Sequence, residues 1–127
     1  MSEIADINHT EFGHLGQIES EAVAKVEAVM LIAIDAHTRN DYEKFASVCT
    51  DEFIDQIDEE IFTETCKELN PRLGPLETLN YLGCVNRIEL VQFLWKADFH
   101  NAEEEVLITA SFAKAKNIPL IEWLWIE

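Results

Sequence analysis

An α+β domain, with helices in its first half and an antiparallel sheet in its second, is what the sequence predicts. Three observations carry that reading. Apolar residues recur at spacings of three and four as far as Leu69, and at a spacing of two beyond Pro75. Helical and strand-like stretches do not alternate, which disfavours a doubly wound parallel sheet. The length, 127 residues, is that of one domain, long enough to bury roughly two-thirds of the surface its unfolded chain exposes without disulfides or metal.

Each element has its own signal. Residues 1–16 are polar, with Gly13 and Gly16 as breakers, and are expected to form an extension to a single domain over 17–127. From Gln17, the residues Val23, Val26, Met30, Ala33 and Ile34 form an apolar stripe, widened by Ala22 and Val29. That spacing predicts a helix to about His37, with Glu19 or Ser20 near its start. The run from His37 to Asn40 breaks it. Asn40 or Asp41 can cap a second helix through Tyr42, Phe45, Ala46 and Cys49, ended by Thr50-Asp51-Glu52. Phe53–Ile57 reads as a short strand. Asp58, Glu59 and Glu60 then place carboxylates on the first turn of a third helix, where the dipole favours them. This helix continues through Ile61, Phe62, Cys66 and Leu69 until Asn70-Pro71 stops it. After Pro75, β-branched and aromatic residues concentrate, and strands are expected over 77–84, 87–101, 105–114 and 118–127. The turns at 101–103 and 115–117 make this part a meander.

Charge and composition exclude several classes. Acidic residues number 25 and basic residues 9, a formal charge of −16. So few basic residues cannot form the clustered phosphate contacts of a nucleic-acid binder, nor the polybasic patch that docks on anionic membranes. With 48% apolar residues the chain is not a disordered polyanion. Its three cysteines, Cys49, Cys66 and Cys84, include no C-x-x-C pair and read as small core residues of a cytoplasmic protein. The acidic start is not a secretory signal, and the longest apolar stretch, 28–34, is far short of a membrane span. His9 and His14 lack a metal-site spacing, His37 reads as a helix C-terminal residue favouring the dipole, and His100 falls beside a turn. No metal and no cofactor are expected.

The sheet pattern points to a covered outer face. One face of the long strand carries Glu89, Val91, Phe93, Trp95, Ala97 and Phe99, and should lie against the helices. The opposite face is apolar at its start, with Leu90 and Leu94. In the last strand Ile121, Trp123 and Trp125 share a face. A wet sheet face would alternate more cleanly. A second copy of the chain is the simplest cover, so a homodimer through Leu90, Leu94, Ile121, Trp123 and Trp125 is expected.

The order of elements over 20–127, and the run Asn40-Asp41-Tyr42-Glu43-Lys44-Phe45-Ala46-Ser47-Val48-Cys49-Thr50-Asp51-Glu52-Phe53, resemble the nuclear transport factor 2-like superfamily. SnoaL-like polyketide cyclases, ketosteroid isomerases and scytalone dehydratase are among its members. The resemblance implies a cystatin-like cone: three helices packed on a strongly curved antiparallel sheet, with a pocket at the wide end. Its isomerase members place a general-base aspartate where this chain has about Ile57, flanked by Asp55 and Asp58. They also place a tyrosine on the first helix, which has none here. The expected pocket aromatics are Tyr42, Phe62, Tyr81, Phe93, Trp95 and Phe112. The carboxylates placed to act as acid or base are Glu89 and Glu122 on strand faces, and Asp55 and Asp58 in the base region.

Two functions follow as expectations. The first is a small protein that binds a small, mostly apolar, neutral or cationic ligand in the cone, with lyase or isomerase chemistry as its enzymatic form. The negative field disfavours anionic ligands. The second is a non-enzymatic dimeric interaction module with a filled cone.

Overall fold

The computed structural model describes residues 11–127, so the start of the expected extension, including His9, lies outside the described residues. Four helices pack against one four-stranded antiparallel sheet of order β1-β2-β3-β4. The helices are α1 (Glu19–Thr38), α2 (Tyr42–Ala46), α3 (Asp51–Gln56) and α4 (Glu59–Leu73), and the strands are β1 (Leu76–Asn86), β2 (Leu90–Phe99), β3 (Val106–Ala113) and β4 (Ile121–Ile126).

The expected stripe of α1 is its buried face: Ala22, Val26, Val29, Met30, Ala33 and Ile34 all lie in the core. A tight chain reversal follows. Asn40 takes the left-handed conformation at φ 55°, and the Asp41 amide donates to Ala36 O at 2.8 Å. Asn tolerates that conformation better than most residues, because its short polar side chain can bond locally. Asp41 is therefore the residue that caps α2, accepting the Lys44 amide at 3.2 Å.

Phe53–Ile57 is not a strand. Thr50 accepts the Phe53 amide at 3.2 Å, and Asp51 and Glu52 fill the first turn of a helix. A capping hydroxyl and two carboxylates at the positive end of the dipole outweigh a short run of β-formers. It brings the α-helices among the described residues to four, where three were expected. Nor does Pro71 stop α4. It falls in the last turn, and the helix runs on to Leu73, where Gly74 ends it at φ 69°.

Bulges curve the sheet, and every one falls on an edge strand. In β1, Glu77 and Leu82 are extra residues against β2, and in β4 Glu122 is extra against β3. Each extra residue bends its strand and increases its twist. The concave face of β2 carries Val91, Phe93, Trp95, Ala97 and Phe99, all buried, as their alternation predicts. The bulge at Glu122 changes the parity of β4. Ile121 pairs with Phe112, Leu124 with Ala110 and Ile126 with Ile108, so all three face the core. Trp123 and Trp125, opposite Ser111 and Thr109, face outward and are 41% and 50% exposed. Ile121 thus belongs to the core and not to an outer interface. Its backbone is also bridged to the segment before α3, through Ile121 N to Val48 O at 2.8 Å and Thr50 N to Ile121 O at 2.9 Å.

The core extends past the expected boundary at residue 17. Phe12 and Leu15 are buried, and a short 3-10 turn over Gly13–Leu15 rests on the end of β3. There His14 donates its amide to Lys114 O at 3.1 Å.

Candidate functional site

An apolar pocket lies where all four helices meet β4. Its volume is about 210 Å³. His37 closes it from α1, Phe45 from α2, Phe53 and Ile57 from α3 and its end, and Phe62, Thr65 and Leu69 from α4. Leu124, Trp125 and Ile126 form the sheet wall. Exposed Thr65 and Trp125 form its rim. Larger depressions exist, including one of about 530 Å³ along α4 and one of about 770 Å³ beside the β2–β3 turn. Their linings are dominated by exposed charged residues such as Glu60, Glu64, Glu103 and Glu104. Apolar lining, not volume, sets this pocket apart as the candidate ligand site.

Aromatic packing sets the cavity's shape. Phe62 is its hub: its ring centre lies 4.8 Å from Phe45, 5.5 Å from Tyr42 and 5.7 Å from His37, the last two edge-on. Phe53 meets Trp123 at 5.5 Å around the sheet edge.

The lining holds three polar side-chain groups, and two are already committed. The Thr65 hydroxyl donates to Ile61 O at 2.9 Å, and the Trp125 indole N–H donates to Glu127 Oε2 at 2.8 Å. The third is the His37 imidazole. His37 is only 8% exposed, and its Nε2 has no hydrogen-bond partner among the described residues. Its backbone is well held, with the carbonyl accepting from Asn70 Nδ2 at 3.0 Å and Cys66 Sγ at 3.3 Å. Those bonds satisfy one of the carbonyls that a helix end leaves open. An imidazole nitrogen buried without a partner destabilises a fold by about 1–3 kcal/mol.

His37 thus falls in the last turn of α1, as expected, but is buried there. Burial holds its imidazole below the ordinary value of 6.5, opposed by Asn70. The unfolded chain then takes up this proton more readily than the folded one. The stability that His37 contributes by staying neutral is present above 6.5 and is lost as pH falls from there through the lower folded value. Urea titrations across that range should show His37→Leu losing less stability on acidification than the unaltered chain. Parallel pH profiles would contradict this.

Few of the sequence-derived site residues meet here. Phe62 lines the cavity. Phe93, Trp95 and Phe112 are wholly buried and fill the cone instead of lining a space. Tyr42 packs on Phe62 from outside the cavity and donates its hydroxyl to Ile57 O at 3.1 Å. Tyr81 lies midway along β1, the edge strand opposite β4, where it donates to Glu19 Oε2 at 2.7 Å. Burial and that bond push its phenol above the ordinary value, so it stays protonated.

None of the four carboxylates lines the cavity. Glu89, expected on the apolar face of a strand, sits exposed in the β1–β2 turn, because β2 begins only at Leu90. Asp58 is exposed and caps α4 through the Ile61 amide at 2.9 Å. Asp55 is exposed on α3, and Glu122 is half-buried at the bulge. All three cysteines are free, and burial pushes the Cys49 and Cys66 thiols up to about 12 and about 11. They remain protonated at neutral pH and are weak nucleophiles.

Among the described residues no three His, Cys, Asp or Glu side chains gather as a metal site, and no helix is long and apolar enough to cross a membrane. His37 was the residue that sequence reasoning missed. Its signal was present, since it continues the stripe of Met30, Ala33 and Ile34 at the next helical step.

No family model and no curated protein matches the chain. Solved structures do. The SEC-C motif containing protein RPA3114 from Rhodopseudomonas palustris has a TM-score of 0.57 and 17% identity, covering 81% of this chain and 79% of that one. A chain designated Rd1NTF2_05 has a TM-score of 0.49 and 15% identity, covering 84% and 99% respectively. At such identities the likeness to RPA3114 is one of fold alone.

Proposed function

We propose that this chain is a nuclear transport factor 2-like pocket domain that binds a small, mostly apolar, neutral or cationic ligand between its helices and β4. One observation carries the reading: an aromatic-walled cavity of about 210 Å³ that opens past Thr65 and Trp125. An apolar cavity of about 150 Å³ takes up benzene, so this one has room for a molecule of single-ring size. The formal charge of −16 supports the exclusion of anions. Because no carboxylate lines the space, the reading is of binding, without a carboxylate acid or base.

Titration with benzene, followed by amide and methyl NMR shifts, tests it. Saturable shifts are expected at His37, Phe62 and Leu124, and Leu124→Trp should abolish them by filling the space. Unsaturable or absent shifts up to the solubility of benzene would overturn the reading.

A second reading, assembly as a homodimer, has its own observation. Leu94, Leu107, Trp123 and Trp125 lie on the outer sheet face, and the two indoles stack at 6.5 Å. A second copy offers the same apolar residues about a twofold axis. Like charge on the two copies opposes the pairing, so association should strengthen with salt. Light scattering at micromolar concentration should give twice 14.6 kDa, reverting to 14.6 kDa in Trp123→Ser/Trp125→Ser. A mass of 14.6 kDa for the unaltered chain at high salt would remove this reading.

A further inference from the structure

We propose that copies of this chain associate head to tail, the turns joining β1 to β2 and β3 to β4 of one copy seating in the acidic groove beside the β2–β3 turn of the next. The division of charge between the two ends of the sheet carries this inference, which is independent of the pocket. At one end, residues 86–90 and 113–120 hold Arg87, Lys114 and Lys116 against one carboxylate, Glu89. The fold joins these two turns: Leu90 pairs with Ala113, and the Lys114 amide donates to Glu89 O at 2.9 Å. Lys25 comes to the same end, donating to His14 O at 3.1 Å, and so does Glu11, whose carbonyl accepts from Asn86 Nδ2 at 3.1 Å. Among the described residues none of Arg87, Lys114 and Lys116 is within ion-pair distance of a carboxylate, whereas Arg39, Lys44, Lys67 and Lys96 each are. Two isoleucines stand beside these cations, Ile88 at 94% exposure and Ile118 at 59%.

The opposite end is the complement. Five carboxylates, Glu68, Glu103, Glu104, Glu105 and Glu127, line the groove of about 770 Å³, with Arg72 as its cation. Lys96 meets Glu105 at 3.0 Å, and the other four have no cationic partner among the described residues. Half-buried Leu69, Ala102 and Ile126 share the lining. Seated there, Ile88 and Ile118 would leave water against apolar side chains, while Arg87 and Lys116 met the carboxylates. Apolar burial then supplies the attraction and the charges fix the orientation. The two ends are separated by the length of β2, Leu90–Phe99, which is about 30 Å. One chain cannot bring them together, and a second copy offers both complements at once. Because the two surfaces differ, the contact is heterologous and repeats as a ring or a filament. The formal charge of −16 opposes approach from a distance. At physiological salt, charges farther apart than about 8 Å are largely screened, so the contacting ends decide.

Sedimentation equilibrium of the full chain at physiological salt tests this, together with two charge reversals, Arg87→Glu/Lys116→Glu and Glu103→Lys/Glu104→Lys. The mass of the unaltered chain should rise above 14.6 kDa with concentration. Each reversal sets like charge against like, and should weaken association about tenfold or more. An equimolar mixture of the two variants should recover it, since each supplies the complement that the other has lost. The second reversal makes the chain less negative, so general repulsion predicts stronger association for it and seating in the groove predicts weaker. A mass fixed at 14.6 kDa up to about 1 mM overturns the proposal and leaves the groove to a basic segment of another protein. Association that survives both reversals overturns it in favour of pairing through Trp123 and Trp125. A mixture that behaves as its two separate components overturns it as well. The concentration series needs no variant, so the proposal stays open to refutation if a reversal unfolds the chain. None of these outcomes bears on the pocket, whose benzene titration reads a different surface.

Discussion

Trp95→Ala is expected to destabilise the protein by about 3–5 kcal/mol. Trp95 is wholly buried at the centre of the sheet, paired with Tyr81 on β1 and Ile108 on β3. Its ring lies 6.0 Å from Phe93 and 6.1 Å from Tyr81. Its indole N–H crosses to α1 and donates to Glu27 Oε2 at 3.0 Å. One side chain therefore ties the concave face of the sheet to the longest helix. Alanine would leave a large cavity that three strands and a helix cannot close together, and would strand the Glu27 carboxylate beside it. A domain of this size has about 5–15 kcal/mol of total stability, so the loss should be visible as a large fall in urea midpoint. Trp95→Phe separates the two contributions. It keeps most of the ring but loses the bond to Glu27, and should cost about 1–3 kcal/mol. Trp125→Ala, on a half-exposed ring, should cost far less than either. Comparable losses for Trp95→Ala and Trp125→Ala would contradict the assignment of inner and outer faces.

That assignment also shows where sequence reasoning succeeds. The alternation from Val91 to Phe99 could be read directly, because β2 is a central strand whose two neighbours hold it in unbroken register with β3. Edge strands are less legible. The parity of β4 changes at Glu122, and no residue in Ile121-Glu122-Trp123 announces a bulge, so Ile121 is assigned from sequence to the wrong face. Phe53–Ile57 fails for a different reason: the capping geometry of Thr50 overrides the β propensity of Phe and Ile. The cavity was the least legible feature. Its walls come from four helices and one strand, and periodicity tells which side chains point inward, not which of those leave space between them. Phe93, Trp95 and Phe112 carry the same inward signal as Phe62, yet only Phe62 borders the void.

The segment before α1 was read as a loose extension, and Gly13→Ala tests whether residues 12–15 are instead part of the fold. Gly13 has φ 56°, in the left-handed region that a side chain disfavours. The chain also has no room for a methyl group there. A Cβ at position 13 would lie 2.5 Å from Lys114 O, 2.6 Å from Lys114 Cβ and 2.9 Å from Lys114 Cα. Two of these are backbone atoms and the third, Cβ, is fixed to the backbone, so none can swing aside. Lys114 O already accepts from the His14 amide at 3.1 Å and lies 2.9 Å from His14 Nδ1, while the Lys114 amide donates to Glu89 O at 2.9 Å. Relief must come from lifting the turn, which would pull Phe12 and Leu15 from the core. Strain and overpacking together should destabilise the protein by about 2–4 kcal/mol. Gly83→Ala is the control. Gly83 also has a positive φ, but a Cβ there meets nothing within 4 Å, so only the backbone preference of about 1–2 kcal/mol remains. Hydrogen exchange adds a local readout. In Gly13→Ala the His14 amide should lose protection before the amides of β2 do. Equal losses of stability in the two glycine variants, with His14 still protected, would mean that the turn is not held against β3 and that the core ends at α1.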